Sequence, residues 1–366
     1  MYVHIKIALR LTQNEKYFIF DLPMKKKYVL KDIAKLAGVS IGTVDRVIHN
    51  RGRVSAESEK RVKAAIKELH YVPNPVAQSL KNNKVHQIRI LLPDPSIDPY
   101  WVPCEHGIHE IKDEFKAFDL DIELSYFDPV KVNSFKEAGE AILDQKPDSL
   151  LFVPLFEKES VLLMEKLKNS NTLTSTFNSP SNSGVHQFIG QNLFLSGRVA
   201  AKLACDHLPS EANVGILHLD ESFNNALHMQ EKEKGFRAYF EENCPTSKLY
   251  THTWDSSRSK YHLEKLQNDS LVYDILFVTN SKIHPVAMAV HELGLKTKLI
   301  GYDLLKENVV CLKEGRIDFL IHQAPKTQAS LSLKNVIEHL LFKKPLPETV
   351  LLPIEIINSE NVDSYL

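Results

Sequence analysis

Residues Lys25–Lys84 read KKKYVLKDIAKLAGVSIGTVDRVIHNRGRVSAESEKRVKAAIKELHYVPNPVAQSLKNNK. Three helical patterns follow one another here, each with its own punctuation. Ile33, Ala34, Leu36 and Ala37 supply the apolar side of a first helix. Gly38 sits where the chain must turn sharply, since a residue without Cβ takes positive φ cheaply. Ser40 is placed to cap a second helix by offering its hydroxyl to unpaired backbone N–H groups. In that helix Val44, Val47 and Ile48 recur at i, i+3 and i+4 and are expected to face inward. Ile41, Gly42, Asp45 and Arg46 are left outward, where a helix can enter a major groove. Ser55 is the cap of a third helix, with Val62, Ile66 and Leu69 as its buried stripe and Glu57, Lys60, Lys63 and Lys67 in water.

Charge agrees with this reading. The segment holds 14 Lys and Arg against 5 Asp and Glu, a net +9, and the rest of the chain holds 31 against 41, a net −10. A near-neutral total of −1 therefore hides a basic head on an acidic body. That division is expected when only the head meets phosphates.

The runs LKDIAKLAGVSIGTVDRVIHN and VSAESEKRVKAAIKELHYVPNPVAQSL closely resemble the N-terminal segment of the LacI/GalR family of bacterial transcription regulators. The match covers these 60 residues almost without gaps and includes AGVS, TV-x-RV and YVPN-x-VAQSL. The resemblance implies a homodimer on a pseudo-palindromic double-stranded DNA operator. Ile41, Gly42 and Arg46 fall at base-reading positions, Ser40 and Thr43 near phosphates, and His49 and Arg53 among the further DNA contacts. Arg46 is the candidate for bidentate contact with guanine O6 and N7. Two residues depart from the family pattern. Asp45 stands where serine is usual, and its carboxylate would repel a phosphate. Gly42 offers no side chain, so readout there is lost or passes to neighbours.

Pro73 and Pro75 stiffen the approach to a segment, Pro75–Leu80, in which Val76, Ala77 and Leu80 line one face of a helix of less than two turns. So short a helix is unstable alone, because nucleation costs more than a few hydrogen bonds return. The resemblance implies that two such helices pair in the minor groove, with Ala77 and Leu80 on the DNA and Leu80 wedged between base steps. Such a wedge kinks the duplex at a cost of about a few kcal/mol, offset by added contacts.

The chain of 366 residues is long enough for two or three domains. No stretch approaches the roughly 20 apolar residues of a membrane span. Its four cysteines, 104, 205, 244 and 311, are far apart and form no C-x-x-C pair, which argues against zinc and against a disulfide framework. A reducing cytoplasm is the expected setting. Residues 1–23 do not fit the rest. They form no continuous signal-peptide core, and Met24 stands directly before the KKK run. Met24 is therefore expected to be the natural start, with residues 1–23 a non-native or disordered extension.

From residue 86 the pattern changes to alternating strands and helices. The expected fold is α/β, with two doubly wound parallel-sheet lobes behind an all-α helix-turn-helix head. The expected divisions are head 24–72, hinge helix and linker 73–85, lobe 1 about 86–189 plus 322–349, and lobe 2 about 190–321 plus 350–366. Ligand is expected where strand C-termini from both lobes face a cleft. FIGQNLFLSGRVAAKLA, KGFRAYF, FVTNS, IGYDLL, DFLIHQAP and PIEIINSENVDSYL are similar to the periplasmic-binding-protein-like sensor of the same family. Carried over by position, the resemblance implies a cleft lined by the loop Asp94–Trp101 (Asp94, Tyr100 and Trp101 in particular), Asn178, Lys232, Asn280, Asp303 and Gln323. Flat aromatics stack on the C–H faces of a sugar, and Asp, Asn and Gln satisfy its hydroxyls. Lys232 stands where arginine is more usual, a point charge in place of a planar fork, and hints at an anionic ligand.

Other constellations carry less. His106, His109 and Glu110 place two imidazoles beside a carboxylate, but not in the H-E-x-x-H order of a zinc site. No G-x-G-x-x-G, P-loop or G-x-S-x-G is present. No metal and no cofactor are expected, and an enzyme is not. The implied function is a cytoplasmic, homodimeric, sequence-specific transcription regulator controlled by a small-molecule effector, a sugar or sugar derivative. Two alternatives stay open: a sugar sensor that binds no specific DNA, given Asp45 and Gly42, and an enzyme that kept a DNA-binding head.

Overall fold

The computed structural model describes residues 3–10, 17–24, 28–48, 51–71, 84–182, 184–206, 208–209 and 211–366, the first two stretches as backbone only. His49 and the segment Pro75–Leu80, with Ala77 and Leu80, lie outside the described residues. The chain divides into two compact units, Met1–Ala77 and Gln78–Leu366.

In the first unit, β1 (Val3–Arg10) and β2 (Tyr17–Met24) pair as antiparallel strands. Residues 1–23 are the segment expected to be a non-native or disordered extension; over 3–10 and 17–24 the backbone forms this strand pair. The period-2 alternation in VHIKIALR is itself a strand pattern, and the register sets Ile5 opposite Leu22 and Ile7 opposite Phe20.

Three helices follow, α1 (Leu30–Ala37), α2 (Ile41–Ile48) and α3 (Ala56–Glu68). Gly38 closes α1 at φ 62°, and Ser40 caps α2, its Oγ accepting from Thr43 N at 3.1 Å. Ser55 does the same for α3 through Ser58 N at 3.2 Å. Ile33, Ala34, Ala37, Val44, Val47, Val62 and Ala65 form one small core. Leu36, expected inward, is exposed, while Ala65 is buried in α3. The turn at Gly38 brings α2 and α3 onto the Ile33–Ala37 face, so Leu36 falls just outside it.

The second unit holds two six-stranded sheets. Lobe 1 contains β3 (His86–Pro93), α4 (Val102–Glu114), β4 (Leu120–Phe127), α5 (Val132–Asp144), β5 (Ser149–Phe152), α6 (Glu157–Leu167), β6 (Leu173–Phe177) and β7 (Gln187–Gly190). Lobe 2 contains α7 (Leu193–Cys205), β8 (Asn213–Leu219), α8 (Leu227–Asn243), β9 (Lys248–Trp254), α9 (Ser259–Asn268), β10 (Ile275–Val278), α10 (His284–Glu292), β11 (Lys298–Tyr302), α11 (Lys306–Lys313) and β12 (Phe319–His322). The chain then recrosses through α12 (Pro325–Phe342), β13 (Thr349–Leu351) and β14 (Glu355–Ile357).

Strand order is β13-β7-β6-β5-β3-β4 in lobe 1, all parallel, and β14-β12-β11-β10-β8-β9 in lobe 2, where only β14 runs antiparallel. Residues 350–366, expected in lobe 2, thus begin with a strand of the other sheet: β13 pairs in lobe 1 and β14 in lobe 2. Pro353 between them interrupts the ladder, since it offers no N–H. The charged run PLFEKES leads into α6, whose Leu163, Met164 and Leu167 are buried. In each sheet the chain steps one way from its first strand and then returns to the other side, a topological switch at β3 and at β8. Crevices at strand C-termini form at such points.

One core fills lobe 1, and two layers, one on each face of the sheet, fill lobe 2. Helices α7 and α8 approach so closely that a Cβ at Gly197 would stand 1.9 Å from Lys232 O, and one at Gly235 1.9 Å from Phe194 O. At the far ends of this pair Cys205 and Cys244 are joined as a disulfide, their Cα atoms 6.5 Å apart. Their separation of 39 residues in sequence argued against a bridge, but parallel packing of α7 and α8 brings both C-terminal ends together. Among the described residues no helix is long and apolar enough to cross a membrane.

Candidate functional site

On the head, α2 divides as its periodicity requires. Val44 and Val47 are buried, whereas Ser40, Ile41, Gly42 and Arg46 are exposed and Thr43 and Asp45 partly so. Arg53, after the helix, is also exposed. Gly42 has ordinary helical φ, and a Cβ there would meet only Ser40 Oγ, at 3.8 Å. The fold therefore does not require glycine at this position.

In the two-lobed unit a cleft of about 470 Å³ opens between the lobes. Its wall takes Asp98, Tyr100, Trp101 and Asn178 from lobe 1, Glu221, His228, Lys232, Asn280, Ser281, Lys282 and Asp303 from lobe 2, and Gln323 from the crossing segment. Nearly all of them follow the C-terminal end of a strand. Asn178 and Asp303 come directly after β6 and β11 with φ of 71° and 63°, and Asp220 directly after β8 with 61°. Asn and Asp take this left-handed conformation more readily than other residues with a Cβ. The chain therefore turns off each strand end and presents the next side chain to the crevice.

Seven of the eight expected cleft residues, Tyr100, Trp101, Asn178, Lys232, Asn280, Asp303 and Gln323, line this one cavity. Asp94 does not. Its carboxylate turns back to accept from Ser96 N and Oγ at 2.8 and 2.7 Å, shaping the loop that delivers Asp98. Asp98, Glu221, His228 and Lys282 are also on the wall. They sit in loops or first helical turns whose aim is decided by the sheet, so spacing alone did not mark them.

The polar groups hold one another. Asp303, 2% exposed, accepts from Gln323 N at 2.9 Å and from Gln323 Nε2 at 2.6 Å. Burial pushes its carboxyl up, against the fields of His322 and Lys232. Asn280 Nδ2 donates to Leu219 O and Glu221 Oε1, and its Oδ1 accepts from Lys282 N. Gln328, one turn into α12, accepts from Asn178 N at 2.7 Å and donates to Gln323 O at 2.6 Å, tying the two lobes' contributions together. Asn308 donates to Ser281 O and Asp303 O from behind. Asn178 Nδ2 donates to Tyr100 OH, and the Tyr100 and Trp101 rings meet edge to face at 4.7 Å.

Lys232 is 1% exposed. Its Nζ donates to Thr279 O at 3.0 Å and stands 3.6 Å from the Tyr302 ring centroid. Burial lowers it to about 8, opposed by the fields of Asp303 and Glu221. Burial also raises Glu221, but His228, with Lys282 and Asn280, outweighs it and brings the carboxyl to about 2. Behind Thr279, His218 Nε2 donates to Glu233 Oε2 at 2.7 Å, and Glu233 Oε1 accepts from Arg237 and Thr251. Elsewhere the Asn225 amide bridges the lobes: Oδ1 accepts from Lys158 N at 3.0 Å and Nδ2 donates to Glu159 Oε2 at 2.9 Å. On α4, Glu110 of the His106–Glu110 group pairs with Lys326.

Comparison with known proteins follows the same division. Residues 29–74 match the model for bacterial regulatory proteins of the lacI family, and residues 88–344 that for a periplasmic binding protein domain. The HTH-type transcriptional regulator MalR of Streptococcus pneumoniae is 32% identical over 137 residues, 36% of this chain and 40% of that protein. The match thus spans less than half of that relative's length. The ribose operon repressor of Halalkalibacterium halodurans is 23% identical over 279 residues, 75% of this chain and 80% of that protein. A crystal structure from Bacteroides fragilis, assigned as a LacI transcriptional regulator, superimposes with a TM-score of 0.72 at 26% identity, covering 77% of this chain and all of that one. With head and cleft-bearing lobes both matched in order, the chain belongs over its two lobes to the periplasmic binding protein domain family and carries ahead of them a segment that matches bacterial regulatory proteins of the lacI family.

Proposed function

We propose that this chain is a sequence-specific DNA-binding transcription regulator whose affinity for its operator is set by a small sugar held between the lobes. One observation carries the reading. The helix that exposes Ile41, Gly42 and Arg46 and the cleft walled by Asp303, Asn280, Gln323 and Tyr100 occur in one chain. The first is a surface for base edges and the second a surface for hydroxyls. The named relatives, MalR and a ribose operon repressor, support the same reading. The regulator works as a homodimer on a pseudo-palindromic site in the cytoplasm, with the Ala77 and Leu80 segment and His49 adding DNA contacts. Ligand acts by favouring one angle between the lobes, which requires a differential affinity of only about 1–3 kcal/mol. The reading is of a binding protein rather than a catalyst: Asp303 is held by Gln323, and Glu221 by Asn280 and His228, as groups that position a ligand.

The test is selection of duplexes from a random library, followed by binding of the enriched site with and without sugars that raise the melting temperature. Enrichment of a palindrome whose affinity changes with sugar is expected. Failure to enrich any palindrome would favour the sensor without specific DNA binding. Turnover of the sugar would favour an enzyme.

A further inference from the structure

The lysine at position 232 invites the expectation of an anionic ligand; the structure points the other way. Each cation on the cleft wall already has an acid beside it. Lys282 Nζ lies 3.4 Å from Asp220, and His228 Nε2 lies 3.2 Å from Glu221. Lys232 lies within the fields of Asp303 and Glu221, and its ammonium is further occupied by Thr279 O and the Tyr302 face. Among the described residues no arginine lines the cleft. Asp98, on the opposite lobe, feels the field of Lys282 but has no cationic partner within ion-pair distance among the described residues; its carboxylate accepts from Tyr100 N at 3.1 Å. The first turns of α8 and α10 add partial positive charge of about half a unit each, less than the carboxylates contribute.

We infer that the cleft takes an uncharged sugar or polyol and excludes its phosphorylated and uronic counterparts. The inference rests on the sugar reading above and names the class within it. A phosphate or carboxylate placed here would stand among Asp98, Glu221 and Asp303. At the low effective dielectric of such a site, one uncompensated like charge at contact range weakens binding by about a hundredfold. An uncharged ring meets no such opposition. Its hydroxyls both donate and accept, so they can accept from the Lys232 N–H that Thr279 O and the Tyr302 face leave over and donate to Asp98. Its C–H faces meet Tyr100 and Trp101.

The experiment is a thermal-shift screen of the full chain at pH 7 against three matched panels: glucose, galactose, ribose, xylose, arabinose and myo-inositol; the uronic acids of the aldoses; and their phosphate esters. Responding members are then titrated calorimetrically. A rise in melting temperature confined to the uncharged panel is expected, with the anionic counterpart of the responder at least about tenfold weaker. Asp98→Asn and Glu221→Gln, each checked for an unchanged unliganded melting temperature, are expected to narrow that gap. A stronger response to a uronate or phosphate overturns the inference while leaving the sugar reading in place, and so does a gap that neither variant alters. Silence from all three panels overturns the sugar reading itself and the inference with it.

Discussion

Gly42 and Arg46 stand one helical turn apart on an exposed face, and the fold asks nothing of either. A Cβ at position 42 meets open space apart from Ser40 Oγ, so Gly42→Ala is expected to keep the head folded, with a gain of up to about 1 kcal/mol from lost chain entropy. Denaturation measures that gain, and reselection from a random library is expected to return a changed operator preference. Arg46→Ala is expected to cost about 1–3 kcal/mol at one base position and relax specificity there. Equal weakening across all sequences would place Arg46 on phosphates instead.

In the body, Glu233 carries a pH signature. Burial raises its carboxyl, but bonds from His218, Thr251 and Arg237 outweigh this and hold it at about 2. The unfolded chain takes up that proton at about 4.3. Between these values the unfolded state binds more protons, so the stabilisation is complete above about pH 5 and lost as pH falls towards 2. Glu233→Gln is expected to flatten that acid limb and to cost about 3 kcal/mol at pH 7, because His218 loses its partner. Urea denaturation across pH 3–7 reads both effects, and an unchanged acid limb would contradict the assignment.

At the scale of elements, α7 and α8 form the most tightly specified pair. Gly235→Ala would set a methyl 1.9 Å from Phe194 O, a backbone atom that cannot swing aside. The helices must separate, at a cost of about 1–3 kcal/mol. Since α8 carries His228 and Lys232 into the cleft, a loss of the sugar-induced thermal shift is expected beyond the loss of stability. The helices and strands of both lobes were legible in the sequence because their periods of 3.6 and 2 reflect one buried face. Two elements of lobe 1 have weak local patterns: α6 begins in charged residues that mask the buried Leu163, Met164 and Leu167 of its inner stripe, and β7 is only four residues long.

For the molecule as a whole, the Asn225 amide is a polar clasp between the two lobes. Asn225→Ala removes both bonds, to Lys158 N and Glu159 Oε2, and is expected to shift the two-lobed unit towards a more open form. A larger radius of gyration by small-angle scattering without ligand, returning to the wild-type value with a bound sugar, is the expected result. Identical scattering from both proteins would remove Asn225 from the control of closure.

The sequence by itself determined the head, the alternation of strands and helices, and seven of the residues that line the cleft. Local propensity, capping and periodicity are properties of neighbouring residues, and the match to a family places motifs in order. Only the tertiary structure decided that Asp94 turns away while Asp98 enters the cleft, that Cys205 and Cys244 meet, and that the charge of Lys232 is answered within the protein. Those outcomes depend on where strand ends and helix ends converge. Groups far apart along the chain then fill one another's hydrogen-bonding and charge requirements, which no local pattern records.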